Sequence, residues 1–251
     1  MNSAKGRYPF LDALRGLAII DMVVFHFLFD VNVLAGKNPD WPYLPEIMLW
    51  QRWGLWLFVV VGGASCALMG ERARWRRGLK LNLLGLAVTV VTAVFMPKER
   101  IVFGVLNFFG CALWLTALLE NGGRGFLRRL GKVGIVLALA GALLFYSHGG
   151  AAAKVAGLTL WQWPSWLYQD AFAILGFHSA SFFSADYVPL LPHIFVFWLG
   201  YCLMPCLKTH APRLLASCDT RLLTLPGRRT LWIYFLHQPF LLAGLFLAGI
   251  L

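Results

Sequence analysis

The stretch PFLDALRGLAIIDMVVFHFLFD, residues 9–30, decides how this chain folds. It is apolar over roughly the 20 residues that a membrane-crossing helix needs. Asp12, Arg15, Asp21, His26 and Asp30 nevertheless lie in it or at its ends. A charge near the bilayer centre costs several kcal/mol, so such residues face a protein interior or a water-filled path. At about 100° per residue, Asp12 and Asp30 share one direction on the helix, with Arg15 and His26 within about 60° of them. Asp21 points the other way. The stripe of four is the main functional clue, and Asp21 is left to contact another helix or a second subunit.

The rest of the chain has the same character. Of 251 residues, 59% are hydrophobic and 13% charged, about half the charge of a soluble domain. The expected fold is an all-α, polytopic transmembrane helix bundle forming a single domain over 1–251. Seven spans are expected near 10–30, 53–70, 79–97, 101–119, 133–147, 190–207 and 230–250. The first has no small-residue cleavage site after its apolar run, unlike a signal peptide.

The net charge of +11 reads as membrane topology, not nucleic-acid binding. Lys5 and Arg7 precede the first span. Arg72, Arg74, Arg76, Arg77 and Lys80 lie between the second and third. Arg124, Arg128, Arg129 and Lys132 lie between the fourth and fifth, and Lys208, Arg213, Arg221, Arg228 and Arg229 between the sixth and seventh. The opposite loops hold only Lys37, Arg52, Lys98, Arg100 and Lys154. This alternation places the N-terminus in the cytoplasm and the C-terminus outside, in an integral membrane protein of the bacterial inner membrane type.

Cys66, Cys111, Cys202, Cys206 and Cys218 form neither a disulfide framework nor a zinc pattern. Cys202 and Cys206, one turn apart, read as small apolar residues at a helix contact. Gly62, Gly63, Ala64 and Ser65 predict close helix packing. Residues 148–189, rich in tryptophan, read as a surface-lying helix or as a lid over an external site.

Rise per residue assigns the polar residues to levels. An outer cluster contains His26, Asn107 and His193, with Asp30 and Arg52 just above. An inner cluster contains Arg15, His237 and Gln238. His26 and Asp30 are spaced i and i+4 and can touch. A carboxylate beside an imidazole fixes its tautomer, which suits a general base. Structural roles fit some of these residues too: a helix-end pair at His26 and Asp30, a packing histidine at His193, a helix–helix hydrogen bond at His237.

Four stretches, Leu11–Asp30, Ile101–Gly110 (IVFGVLNFFG), Val188–Tyr201 (VPLLPHIFVFWLGY) and Leu231–Pro239 (LWIYFLHQP), together resemble the heparan-α-glucosaminide N-acetyltransferase catalytic-domain family, in particular its short bacterial members. The resemblance implies a membrane-bound acyltransferase moving an acyl group, acetyl first among candidates, from cytoplasmic acyl-CoA to an extracytoplasmic sugar or glycan acceptor. Its partners are the bilayer, acyl-CoA and the acceptor, with a homo-oligomer allowed and no nucleic acid or metal. In that picture His26 and Asp30 are catalytic, Asn107, His193 and Arg52 bind substrate, and Arg15, His237 and Gln238 bind the CoA side. Two departures matter. Short bacterial relatives carry His where Asn107 stands, and the functional His of the animal enzymes' first loop has no counterpart in residues 31–52. The rival reading is a transporter or flippase whose solute or proton path follows the stripe.

Overall fold

The computed structural model describes residues 7–121, 125–146, 152–155 and 158–251. Lys5 and Arg124, counted above among the cytoplasmic cations, lie outside them. Among the described residues the chain is all-α apart from one small hairpin. In order it forms α1 (Pro9–Phe29), α2 (Pro45–Ala67), α3 (Glu71–Phe95), α4 (Val105–Asn121), α5 (Phe126–Tyr146), β1 (Ala152–Val155), β2 (Leu158–Gln162), α6 (Leu190–His210), α7 (Pro212–Leu215), α8 (Arg221–Arg228) and α9 (Thr230–Leu247). Among the described residues, five helices are long and apolar enough to cross a membrane: α1 with the π-helical turn Asp30–Leu34 that prolongs it, α2, α3, α6 and α9. Helix α4 is a shorter apolar helix, and α5 is broken at Gly131 (φ 52°).

Two helices start well before their apolar runs. Helix α2 begins at Pro45 with Glu46 in its first turn, and α3 at Glu71 after Gly70. Proline at the first position and a carboxylate near the N-terminal dipole both favour initiation. The tryptophan-rich stretch is not a surface helix. It forms the antiparallel pair β1–β2 and short 3-10 turns at Ser165–Leu167 and Asp170–Leu175.

The chain divides into two compact units, Met1–Val61 with Cys206–Leu251, and Gly62–Pro205. In the second unit, α3 and α4 interlock through small residues. A methyl added at Gly78 would lie 2.5 Å from Trp114, at Gly110 2.5 Å from Asn82, and at Gly85 2.4 Å from Asn107. As positions rise by four and three along α3, their partners fall by four and three along α4, which is antiparallel packing with each large side chain over a glycine. The Gly62–Ser65 run does pack closely: a methyl at Gly63 would meet the Phe197 carbonyl oxygen at 1.8 Å. Cys202 packs on Gly134, whose added methyl would stand 2.8 Å from its sulfur.

That unit also builds a polar network around a buried arginine, Arg74, and a buried glutamate, Glu120, with cations that sequence reading had scattered among the loops. Arg74 is 2% exposed. It donates to the Cys66 carbonyl and to the Tyr201 hydroxyl, both at 3.3 Å. Arg128 donates to the same hydroxyl and pairs with Glu120 at 3.1 Å. The run Arg72–Arg77 gave no sign that Arg74 alone turns inward.

Candidate active site

In the first unit, α1 and α9 bring four stripe and site residues together. His26 donates its Nδ1–H to the Met22 carbonyl (2.8 Å), and His237 donates its own to Tyr234 (2.7 Å). A carbonyl can only accept, so both rings are fixed with Nε2 as the lone-pair nitrogen. The rings meet edge to face, 4.9 Å between centroids. Asp30 is fully buried and accepts from Gln238 Nε2 at 2.8 Å. Three buried atoms of this group have no hydrogen-bond partner: Asp30 Oδ2, His237 Nε2 and Gln238 Oε1. Unpaired buried polar atoms are uncommon and mark a missing partner or a functional demand.

Two expectations are corrected. Asp30 does not fix the tautomer of His26. A helical side chain leans toward the preceding turn, so the Met22 carbonyl takes the imidazole N–H, and the carboxylate turns to Gln238. Nor do His237 and Gln238 form an inner cluster with Arg15. The level assigned to them assumed that α9 starts at the membrane face. Instead the height of α9 against α1 is set by α8, which docks on α1. Gly227 lies against Asp12 and Gly16. Ten residues of α1 carry His26 about 15 Å beyond Gly16, and His237 meets it from the second turn of α9, seven residues after Thr230.

Arg15 lies at that dock. It donates to Asp12 Oδ1 at 2.8 Å and to the Gly227 carbonyl at 3.4 Å, while Arg228 reaches Asp12 Oδ2 at 3.2 Å. The group therefore holds two cations for one carboxylate. Arg52, half-buried, is in the second turn of α2. Asn107 and His193 belong to the second unit. The Asn107 amide donates to the Asn82 carbonyl at 3.4 Å, and His193 donates to Pro189 and stands against Phe108, 5.9 Å between ring centroids. Asp21 accepts from the Trp50 indole at 2.6 Å. Sequence reading missed the Asp12–Arg228 pair, although the amphipathic pattern of RLLTLPGR, with Gly after Pro, was the available signal.

This is a polytopic membrane protein in which two apolar helices hold a pair of imidazoles beside a buried carboxylate. The chain matches the family described as heparan-alpha-glucosaminide N-acetyltransferase, catalytic, over residues 7–239. It belongs to that family, and so to a family of membrane acetyltransferases. Neither the curated proteins nor the solved structures searched gave a match.

Proposed function

We propose that this protein transfers an acyl group, acetyl in the first instance, from acyl-CoA on the cytoplasmic side to an extracytoplasmic sugar or glycan acceptor, with the His26–His237 pair as its reactive centre. The observation that carries this reading is the trio of unpaired buried atoms. As the tautomers stand, Asp30 Oδ2, His237 Nε2 and Gln238 Oε1 are all hydrogen-bond acceptors. The reacting thioester group has no N–H or O–H of its own, the amides of the pantetheine arm lying beyond its sulfur, whereas the nucleophile of an acyl transfer carries one on the reacting atom. On this reading His237 and Gln238 hold the acceptor's head, not the CoA.

The chemistry follows from the tautomers. The lone pair on His26 Nε2 takes the proton from the acceptor's N–H or O–H as that atom attacks the thioester carbonyl. The new bond to carbon forms, the C–S bond breaks, and the CoA thiolate leaves to be protonated. The charge on the His26 imidazolium is favoured by the Asp30 carboxylate one turn further on. The dock's excess cation, with the basic loops, suits the phosphates of CoA at the cytoplasmic mouth.

The test is binding and turnover of radiolabelled acetyl-CoA by the purified protein beside His26→Ala. Saturable binding, with slow thioester cleavage lost in His26→Ala, is the expected result. Absence of binding overturns the proposal and returns the stripe to a transport role.

A further inference from the structure

Of the Asp-x-x-Arg-Gly opening, Asp12 to Gly16, the chemistry above uses only the excess positive charge. We infer that it is the seat on which α8 docks, and that Asp12, Gly16, Gly227 and Arg228 are positioning residues that set the register of His237 against His26.

The seat is made by missing side chains. A methyl added at Gly16 would lie 1.8 Å from the Leu223 carbonyl oxygen, and one at Gly227 would lie 1.8 Å from the Asp12 carbonyl oxygen and 2.9 Å from the Gly16 nitrogen. Each is a backbone atom, which cannot step aside as a side chain can. The two helices therefore meet backbone to backbone, each glycine admitting the other helix's carbonyl. The carboxylate of Asp12, itself buried, then closes the contact by bridging Arg15 of α1 and Arg228 of α8.

The dock is coupled rigidly to the reactive pair. Only Arg229 lies between α8 and α9. Thr230, the first residue of α9, donates its hydroxyl to the Gly227 carbonyl at 2.8 Å. The residue that fills the seat is thus tied directly to the first turn of α9. From there His26 lies ten residues along α1 from Gly16, and His237 seven residues along α9 from Thr230. A shift at Gly227 reaches Thr230 through that hydrogen bond, and α9 carries the displacement along its axis to His237.

The inference rests on the proposed function only for its catalytic consequence, and its test does not use acyl-CoA. Two proteins are compared, each with one cysteine pair added to the five native cysteines, one with Cys at 26 and 237, the other with Cys replacing the hydrogen-bonded pair Asp21 and Trp50. Both are treated in membranes with 1,2-ethanediyl bismethanethiosulfonate and read by mass spectrometry. Gly227→Ala is expected to lower the 26–237 yield at least fivefold while the 21–50 yield holds. An unchanged 26–237 yield overturns the inference. If both yields fall, the same comparison is made in Asp12→Asn, which keeps the side chain's shape. A fall confined to 26–237 there supports the register role, and an unchanged 26–237 yield or a joint loss overturns it.

Discussion

The imidazoles of His26 and His237 stand edge to face at 4.9 Å, and each gives its Nδ1–H to a carbonyl of its own helix. Each ring is therefore left with Nε2 as its lone-pair nitrogen, and the two rings are neighbours although they come from opposite ends of the sequence. If His26 is the base and His237 holds the nucleophile, the variants differ in kind. His26→Ala should lower kcat about 10²- to 10⁴-fold, the usual worth of a general base. His237→Ala should mainly raise KM for the acceptor. Steady-state rates with varied acceptor check this, and equal losses in kcat for both variants would remove the division of labour.

Gln238 and Asp30 supply a sharper test of polarity. The amide donates to Asp30 Oδ1 while its own oxygen lacks a partner. Gln238→Glu replaces the donor by a second carboxylate facing a fully buried one. Like charges at hydrogen-bond distance in a poorly hydrated site are destabilising. The melting temperature in detergent should fall in Gln238→Glu and recover in the double variant Asp30→Asn/Gln238→Glu, where an amide again faces a carboxylate. Failure of the second change to restore stability would show that the pair is not coupled.

Part of this arrangement was legible in the sequence and part was not. Helical periodicity placed Asp12, Arg15, His26 and Asp30 on one side of α1, because a period of 3.6 needs no knowledge of neighbours. The level of His237 was not legible, since it depends on where α8 docks, and docking is set by Gly16 and Gly227 together across more than 200 residues of chain. Arg74 illustrates a second limit. Four arginines between 72 and 77 look alike in sequence, and only the positions of the Tyr201 hydroxyl and Cys66 carbonyl select one for burial. The aromatic content of 148–189 suggested an interface, but a hairpin and turns carry tryptophan as readily as a helix does.

The close approach of α2 and α6 predicts a specific intolerance. A methyl at Gly63 would lie 1.8 Å from the Phe197 carbonyl oxygen and 3.1 Å from the Tyr201 nitrogen. Both are backbone atoms, so the helices must separate. Overpacking of this kind costs about 1–3 kcal/mol or more. Thermal unfolding in detergent should show Gly63→Ala well below the parent. Gly70→Ala is the control, because an added methyl there meets nothing within 4 Å.

The segment before α6 should loosen at alkaline pH. The Tyr187 hydroxyl donates to the Ala173 carbonyl, and its ring packs among His178 and Phe182. Burial pushes the phenol well above its ordinary value. A folded-state pKa above the unfolded one, about 10, gives stability that is complete below that pH and lost as pH rises through the folded value. Limited proteolysis between Gln169 and Tyr187 should therefore accelerate above about pH 10 in the parent. Tyr187→Phe, without an ionisable group, should lack that alkaline rise while starting about 1 kcal/mol less stable from the lost hydrogen bond.

Asp21 is the carboxylate that the stripe leaves out, and its surroundings define what it tolerates. Its Oδ1 accepts from the Trp50 indole at 2.6 Å, and a methyl at Gly54 would stand 2.2 Å from its Oδ2. Gly54 is thus the gap that lets the carboxylate reach α2, and Trp50 is the donor that satisfies it. Around the pair, Phe25, Trp41 and Trp50 pack at 5.4–6.4 Å between ring centroids, which leaves few other donors for the carboxylate. Removing the donor should therefore cost more than removing the charge. Trp50→Phe strands a carboxylate among apolar rings, whereas Asp21→Asn keeps an oxygen for the indole and sheds the charge. A double-mutant cycle on thermal stability should show Trp50→Phe strongly destabilising alone and much less so in the Asp21→Asn background. Additive effects would mean that the hydrogen bond contributes nothing of its own, and that the aromatic packing alone holds α2 against α1 at this level.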